Sequence, residues 1–183
     1  MNATAEILHE FGRGGLSVTA VVRLARTARN SFYDSFTGIE ECIGYGIELG
    51  EAELFAGLEE LSGEGDWRAE LDEGIGGFFE AVSAGPLLAE LFLVHSGASR
   101  TDAGRAAFLS GGERFVPLLS RGRDEADALG RRPSPLLDEY LSRAIVTLAT
   151  RRVQDSDTKR LVTETSAMTR LAAEFYTGHG DPS

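Results

Sequence analysis

The sequence predicts an all-α protein, three short helices in an N-terminal head followed by a six-helix body. Two observations carry this. Apolar residues recur at i, i+3, i+4 and i+7 along nearly the whole chain, whereas alternating strand-like runs are scarce. The helical stretches are also punctuated by Gly, Pro and Ser at the intervals where helices must end. With 183 residues, 42% of them hydrophobic, there is enough apolar material for one domain, or for a small domain fused to a larger one.

Ile7 and Leu8 belong to a brief first helix closed by Gly12, and Ser17 caps a second that carries Val18, Val21, Val22 and Ala25. A turn at Arg26-Thr27-Ala28 leads to a third short helix with Phe32, Tyr33 and Phe36. Three short helices with a tight turn between the second and third describe a helix-turn-helix. Beyond it, Ile39, Ile43, Ile47, Leu54, Leu58 and Leu61 mark a helix over 38–61 that ends near Ser62-Gly63. Its interior glycines each cost about 1 kcal/mol relative to Ala, so it should be soft.

Asp66 caps the next helix, with Trp67, Leu71, Ile75, Phe78 and Val82 on one face, and Gly85-Pro86 breaks it. Leu87, Leu88, Leu91, Phe92 and His95 line a short helix. One longer helix follows with Phe108, Leu109, Phe115, Val116 and Leu119, kinked at Gly111-Gly112. Ser134-Pro135 opens the penultimate helix, whose stripe of Leu136, Leu137, Tyr140, Leu141, Ala144, Ile145, Leu148 and Ala149 is wide enough to pack on two neighbours. Leu161, Met168, Leu171, Ala172, Phe175 and Tyr176 repeat the pattern over a last helix that stops at Gly178. The domain boundary is placed between a head of residues 1–45 and a body of residues 46–183.

Composition excludes several classes. Cys42 is alone, so no internal disulfide forms, and His9, His95 and His179 show no metal-ligand spacing. The longest nearly apolar run, Pro86 to Val94, contains Glu90 and is too short to cross a bilayer, and no signal sequence is legible. A soluble, cytoplasmic protein with no membrane partner, no metal and no cofactor is expected. Gly12-Arg13-Gly14-Gly15 and Gly74-Ile75-Gly76-Gly77 lack the strand-to-helix setting and the Lys-Ser/Thr of a phosphate loop. No Ser-His-acid set is legible, and Cys42 reads as inert core, so no enzyme is predicted. The net charge is −11, yet residues 13–36 hold Arg13, Arg23, Arg26 and Arg29 against Asp34 alone. An anionic partner should therefore dock at the N-terminal end.

Gly12, Leu16-Ser17-Val18, Val21, Ala25, Thr27, Ser31-Phe32-Tyr33, Phe36 and Glu40 together resemble the DNA-binding head of the TetR family of transcriptional regulators, most specifically in the Tyr-x-x-Phe end. The resemblance covers about residues 5–45. It implies a homodimer whose third helix enters the major groove of a palindromic double-stranded DNA operator. It further implies a body that holds a small-molecule effector and dimerises through its last two helices, here through Leu137, Leu141, Ile145, Leu148, Met168, Leu171 and Phe175. By position, Ser17 and Tyr33 fall where the family contacts phosphates, and Arg29, Asn30, Ser31, Asp34 and Ser35 fall on or beside the groove-facing part of the third helix. Departures are Arg26 at the usual turn glycine, Ile39 at the usual basic residue before Glu40, the acidic Asp34, and a start almost at the first helix without a basic leader. They imply fewer phosphate contacts and weaker, less salt-sensitive binding.

Several residues keep two readings. Arg29 is either a base-edge or phosphate contact or a solvated surface arginine, and Arg23 and Arg26 are equally open. Tyr33 fits the head core with its ring and a phosphate with its hydroxyl. His95 is a buried histidine bonded to a carbonyl or a polar anchor for ligand. Trp67, Phe78, Phe79, Phe92, Phe108 and Phe115 are plain core or the lining of an apolar effector pocket. The function expected is a ligand-responsive regulator, a repressor released from DNA when a mostly apolar small molecule shifts the helix over 38–61. The rival is a helical ligand-binding or scaffold protein whose head has lost DNA binding.

Overall fold

A computed structural model describes residues 2–61, 63–98 and 102–177. Ten α-helices form, and there is no strand among the described residues. They are α1 (Asn2–Phe11), α2 (Val18–Leu24), α3 (Arg29–Tyr33), α4 (Ile39–Glu59), α5 (Trp67–Ala84), α6 (Pro86–Leu93), α7 (Asp102–Gly111), α8 (Val116–Ala128), α9 (Leu136–Gln154) and α10 (Lys159–Thr177). Seven helices therefore follow residue 38 rather than six. The single helix expected across Phe108 to Leu119 is two, because the chain turns at 112–115 after the glycine pair, and Pro117 suits only the first turn of a new helix. Gly178 lies outside the described residues.

Two compact units form, one from Met1–Glu53 with Gly85–Leu109 and one from Leu54–Ala84 with Ser110–Ser183. In the first, Ile7, Val21, Phe32 and Cys42 make a buried cluster, with Leu16, Val18, Val22, Phe36 and Ile39 packed around it. This cluster closes α1, α2, α3 and the start of α4 into the head. Thr4 is buried beside it with Oγ1 3.5 Å from the Cys42 sulfur, and α6 packs along α1.

In the second unit, α5 lies along α10, with α8 and α9 alongside. Phe55 and Phe78 stack at 4.8 Å, and Phe115 meets the Phe78 ring at 5.6 Å. Asp138, 1% exposed, is a buried charge: it accepts from Tyr176 Oη at 2.7 Å and from Arg123 at 2.6 Å. Buried charge is tolerated only when paired and hydrogen-bonded, and this triad ties α8, α9 and α10 together.

Helix ends follow their local chemistry. The Ser17 side chain accepts from Ala20 N at 3.2 Å, and Asp66 accepts from Arg68 N at 3.2 Å. Three helices end in the same doubly bonded left-handed turn, with Arg26, Gly130 and Ser156 in the positive-φ position. Only one of these is the glycine that the conformation favours.

Candidate nucleic-acid interface

The helix-turn-helix is built from the turn outward. Thr27 N donates to Val22 O at 3.0 Å and Arg26 N to Arg23 O at 3.3 Å, which closes the end of α2. Ala28 is extended, so α3 starts in a new direction, and Phe32 inserts into the head core at 5% exposure. With Phe32 inward, helical geometry turns the rest of this one-and-a-half-turn helix outward. Arg29, Asn30, Ser31, Tyr33, Asp34 and Ser35 are all exposed. Tyr33 touches the core only by its edge, 5.6 Å from the Phe32 ring, and is 48% exposed. Arg29 lies over the Tyr33 ring at 5.7 Å and donates to its hydroxyl at 3.4 Å, so guanidinium and phenol present themselves together. Ser17 is exposed at the start of α2; its oxygen accepts the cap bond, which leaves the hydroxyl hydrogen as a donor.

The electrostatics of the head differ from those of the rest. Arg23, Arg26 and Arg29 are exposed and form no ion pair among the described residues. Several arginines elsewhere are matched: Arg68 to Glu125 at 2.8 Å, Arg123 to Asp138 at 2.6 Å, Arg152 to Glu164 at 2.5 Å, and Arg121 to Glu70. Against this, α4 opens with Glu40 and Glu41 in its first turn. Glu40 is 3.4 Å from Arg13, and Glu41 accepts from both Thr37 N and Thr37 Oγ1 at 2.6 Å. The hydroxyl bond first and then the backbone bond hold the Glu41 carboxyl below the usual range.

The candidate effector residues divide between the two units. Trp67, Phe78, Phe79 and Phe115 belong to the second unit and are at most 4% exposed. Trp67 donates to Glu125 at 2.9 Å and lies against Gly122, where a Cβ would collide with its ring. Phe55, from α4, completes this aromatic group and was not singled out in the sequence, because one ring among spaced leucines has no signature. Much of the volume that the body's glycines leave is already filled. A Cβ at Gly74 would meet Leu58 and Leu118, and one at Gly112 would meet Arg143, whereas Gly77 has nothing within 4 Å. Phe92, His95 and Phe108 belong to the first unit. Phe92 is buried against Gly50, and Phe108 is 49% exposed with its ring against Gly97. His95 follows α6, with Nε2 3.7 Å from Glu90 Oε1, while His9 Nδ1 lies 2.6 Å from the other oxygen of Glu90. His95 Nε2 and Ser96 Oγ are buried and lack a hydrogen-bond partner. Burial lowers the His95 pKa, Glu90 raises it and Arg13 lowers it further.

The residues expected at a dimer face also separate. Leu141, Ile145 and Met168 are at most 8% exposed in the chain's own core, because α9 and α10 turn these positions toward α5 and α8. Leu137 and Leu148 are half-buried. Leu171 and Phe175 are 49% and 53% exposed, one turn apart on α10, and Leu136 and Tyr140 are 70% and 71% exposed, one turn apart on α9.

No protein-family model and no curated protein matches the chain. Solved structures do. The fatty acid degradation regulator FadR from Bacillus halodurans superposes with a TM-score of 0.72 at 14% identity, over 97% of this chain and 96% of that one. FadR from Bacillus subtilis in complex with stearoyl-CoA gives 0.70 at 15% identity, over 95% and 96%. A TetR-family member from Streptomyces coelicolor A3 gives 0.64 at 19% identity, over 97% and 88%. The chain has the all-α fold of the TetR transcriptional regulators.

Proposed function

We propose that the chain is a ligand-responsive, DNA-binding transcriptional regulator that works as a homodimer. The observation that carries this is the outer edge of α3, where Arg29 and Tyr33 stand exposed together and Arg29 is in no ion pair among the described residues. In a chain of net charge −11, a cation left without a carboxylate on the exposed edge of α3 favours a polyanion at that place. Arg29 supplies a guanine-edge or phosphate contact, Asn30, Ser31 and Ser35 offer further hydrogen-bonding groups, and Ser17 and Tyr33 reach phosphates.

The regulator acts as a repressor on a palindromic operator. Two recognition helices must match successive major grooves about 34 Å apart. An effector releases DNA only if it binds more tightly to the conformation with the wrong spacing. The effector is mostly apolar, and a long-chain acyl-CoA is the first probe, because the Bacillus subtilis FadR structure holds stearoyl-CoA.

The test is fluorescence anisotropy at low salt on DNA from upstream of the chain's own coding sequence, with unrelated DNA as competitor. Sequence-specific binding that weakens about 5- to 150-fold in Arg29→Ala, the range for one good base contact, is expected. Equal affinity for specific and unrelated DNA would instead favour a ligand-binding protein without operator recognition, the reading that Asp34 on α3 supports.

A further inference from the structure

On the α1–α2 side of the head, an open groove of about 640 Å³ holds Phe11, Leu24, Glu10, Arg23 and Arg26 in its lining. Phe11 is 62% exposed and Leu24 45%. A single exposed apolar side chain is ordinary, but two sharing one groove form a patch. Gly15 lies close against the base of Phe11, where a Cβ would overlap the Phe11 Cβ.

The charges around these two residues, Glu10, Arg23 and Arg26, are exposed and in no ion pair among the described residues, while Arg13 in the same unit is matched by Glu40. Arg26 is held there in a left-handed conformation, φ 51°, that disfavours any side chain. Strain of this kind is commonly kept where a side chain is used.

We propose that this groove is a self-association surface on which a second copy of the chain docks about a twofold axis. Phe11 and Leu24 pack against their counterparts, and Glu10 of each copy faces Arg23 and Arg26 of the other. The mixed sign of the patch is the reason for choosing a second copy. A twofold contact maps acid onto base, whereas a polyanion is opposed by Glu10 and an apolar partner leaves three charges unpaired. The proposal stands whether or not α3 binds DNA.

Sedimentation equilibrium of the full chain from low to high micromolar concentration tests it. The native chain should pass from a dimer at low concentration to twice the dimer mass at high concentration. Glu10→Arg, with a wholly basic patch, and Arg23→Glu/Arg26→Glu, with a wholly acidic one, should each stay at the lower mass. Their equimolar mixture should recover the twofold increase. Phe11→Ser should abolish it with helix content unchanged by circular dichroism, which keeps the test open if a charge variant misfolds. No doubling in the native chain, doubling that survives Phe11→Ser, or folded charge variants that fail to associate when mixed would each overturn the proposal. So would loss of operator binding in Arg23→Glu/Arg26→Glu with mass unaffected, which would assign those arginines to DNA phosphates.

Discussion

Arg26 shows how one residue serves two opposed demands. Its φ of 51° costs about 1 kcal/mol or slightly more for an L side chain, and glycine removes that cost while adding some chain entropy to the unfolded state. Arg26→Gly is expected to raise stability by about 0.5 kcal/mol while weakening whatever its guanidinium binds. Chemical denaturation checks this; an unchanged or lower midpoint would mean the turn is unstrained. His95 is a second case. Burial lowers its pKa, so below the ordinary value near 6.5 the unfolded chain takes up a proton that the fold resists. Stability should therefore fall as pH drops from about 6.5, and His95→Gln should reduce that fall. Melting curves at pH 7.5 and 5.5 decide it, and an identical drop in native and variant protein rules out His95 as the source. Neither effect was legible in full from sequence. The departure at Arg26 was visible as a missing glycine, but the carboxylate shared by His9 and His95 joins residues more than eighty positions apart and follows no periodicity.

At the scale of elements, the stripe on α9 was readable because eight apolar residues repeat at helical spacing, and its width announced two neighbours. Which half faced which neighbour was not readable, since Leu136 and Leu141 are equally hydrophobic and only packing separates them. The structure turns Leu141, Ile145 and Ala149 inward and leaves Leu136 and Tyr140 outside. The Asp138–Tyr176–Arg123 triad was invisible for a related reason. An aspartate in the first turn of a helix reads as dipole compensation, and nothing local says it is buried. Burial, then the bond to Asp138, raises the Tyr176 pKa, so the hydroxyl stays protonated as the donor. Tyr176→Phe leaves one Asp138 oxygen without that donor and should destabilise the chain by about 1–3 kcal/mol. Asp138→Ala should cost more, because it removes the partner of Tyr176 and leaves the half-buried Arg123 only the exposed Asp124 at 3.5 Å. A Tyr176→Phe variant as stable as the native chain would show that water replaces the bond.

For the whole molecule, the sequence separated a small basic island at 13–36 from an acidic remainder, and the structure gives that division a form: Arg23, Arg26 and Arg29 are in no ion pair among the described residues, whereas Arg13, Arg68, Arg121, Arg123 and Arg152 are matched to carboxylates. Assembly is the remaining question at this scale, and the C-terminal helices frame it. Leu171 and Phe175 on α10 and Leu136 and Tyr140 on α9 are four large apolar side chains about half exposed or more. Leaving them in water forgoes about 1.5–3 kcal/mol for each that a partner would fully bury. If they form the dimer face, Leu171→Glu/Phe175→Glu should yield a folded monomer, because neither side chain supports the chain's own core. Leu141→Glu should behave differently, since a carboxylate forced into a site 2% exposed must unfold the unit or stay protonated. The pair of variants therefore separates interface from core: loss of mass with helix content kept in the first, loss of helix content in the second. A native chain that sediments as a monomer at micromolar concentration, or a Leu171→Glu/Phe175→Glu chain that remains a dimer, would place the interface elsewhere.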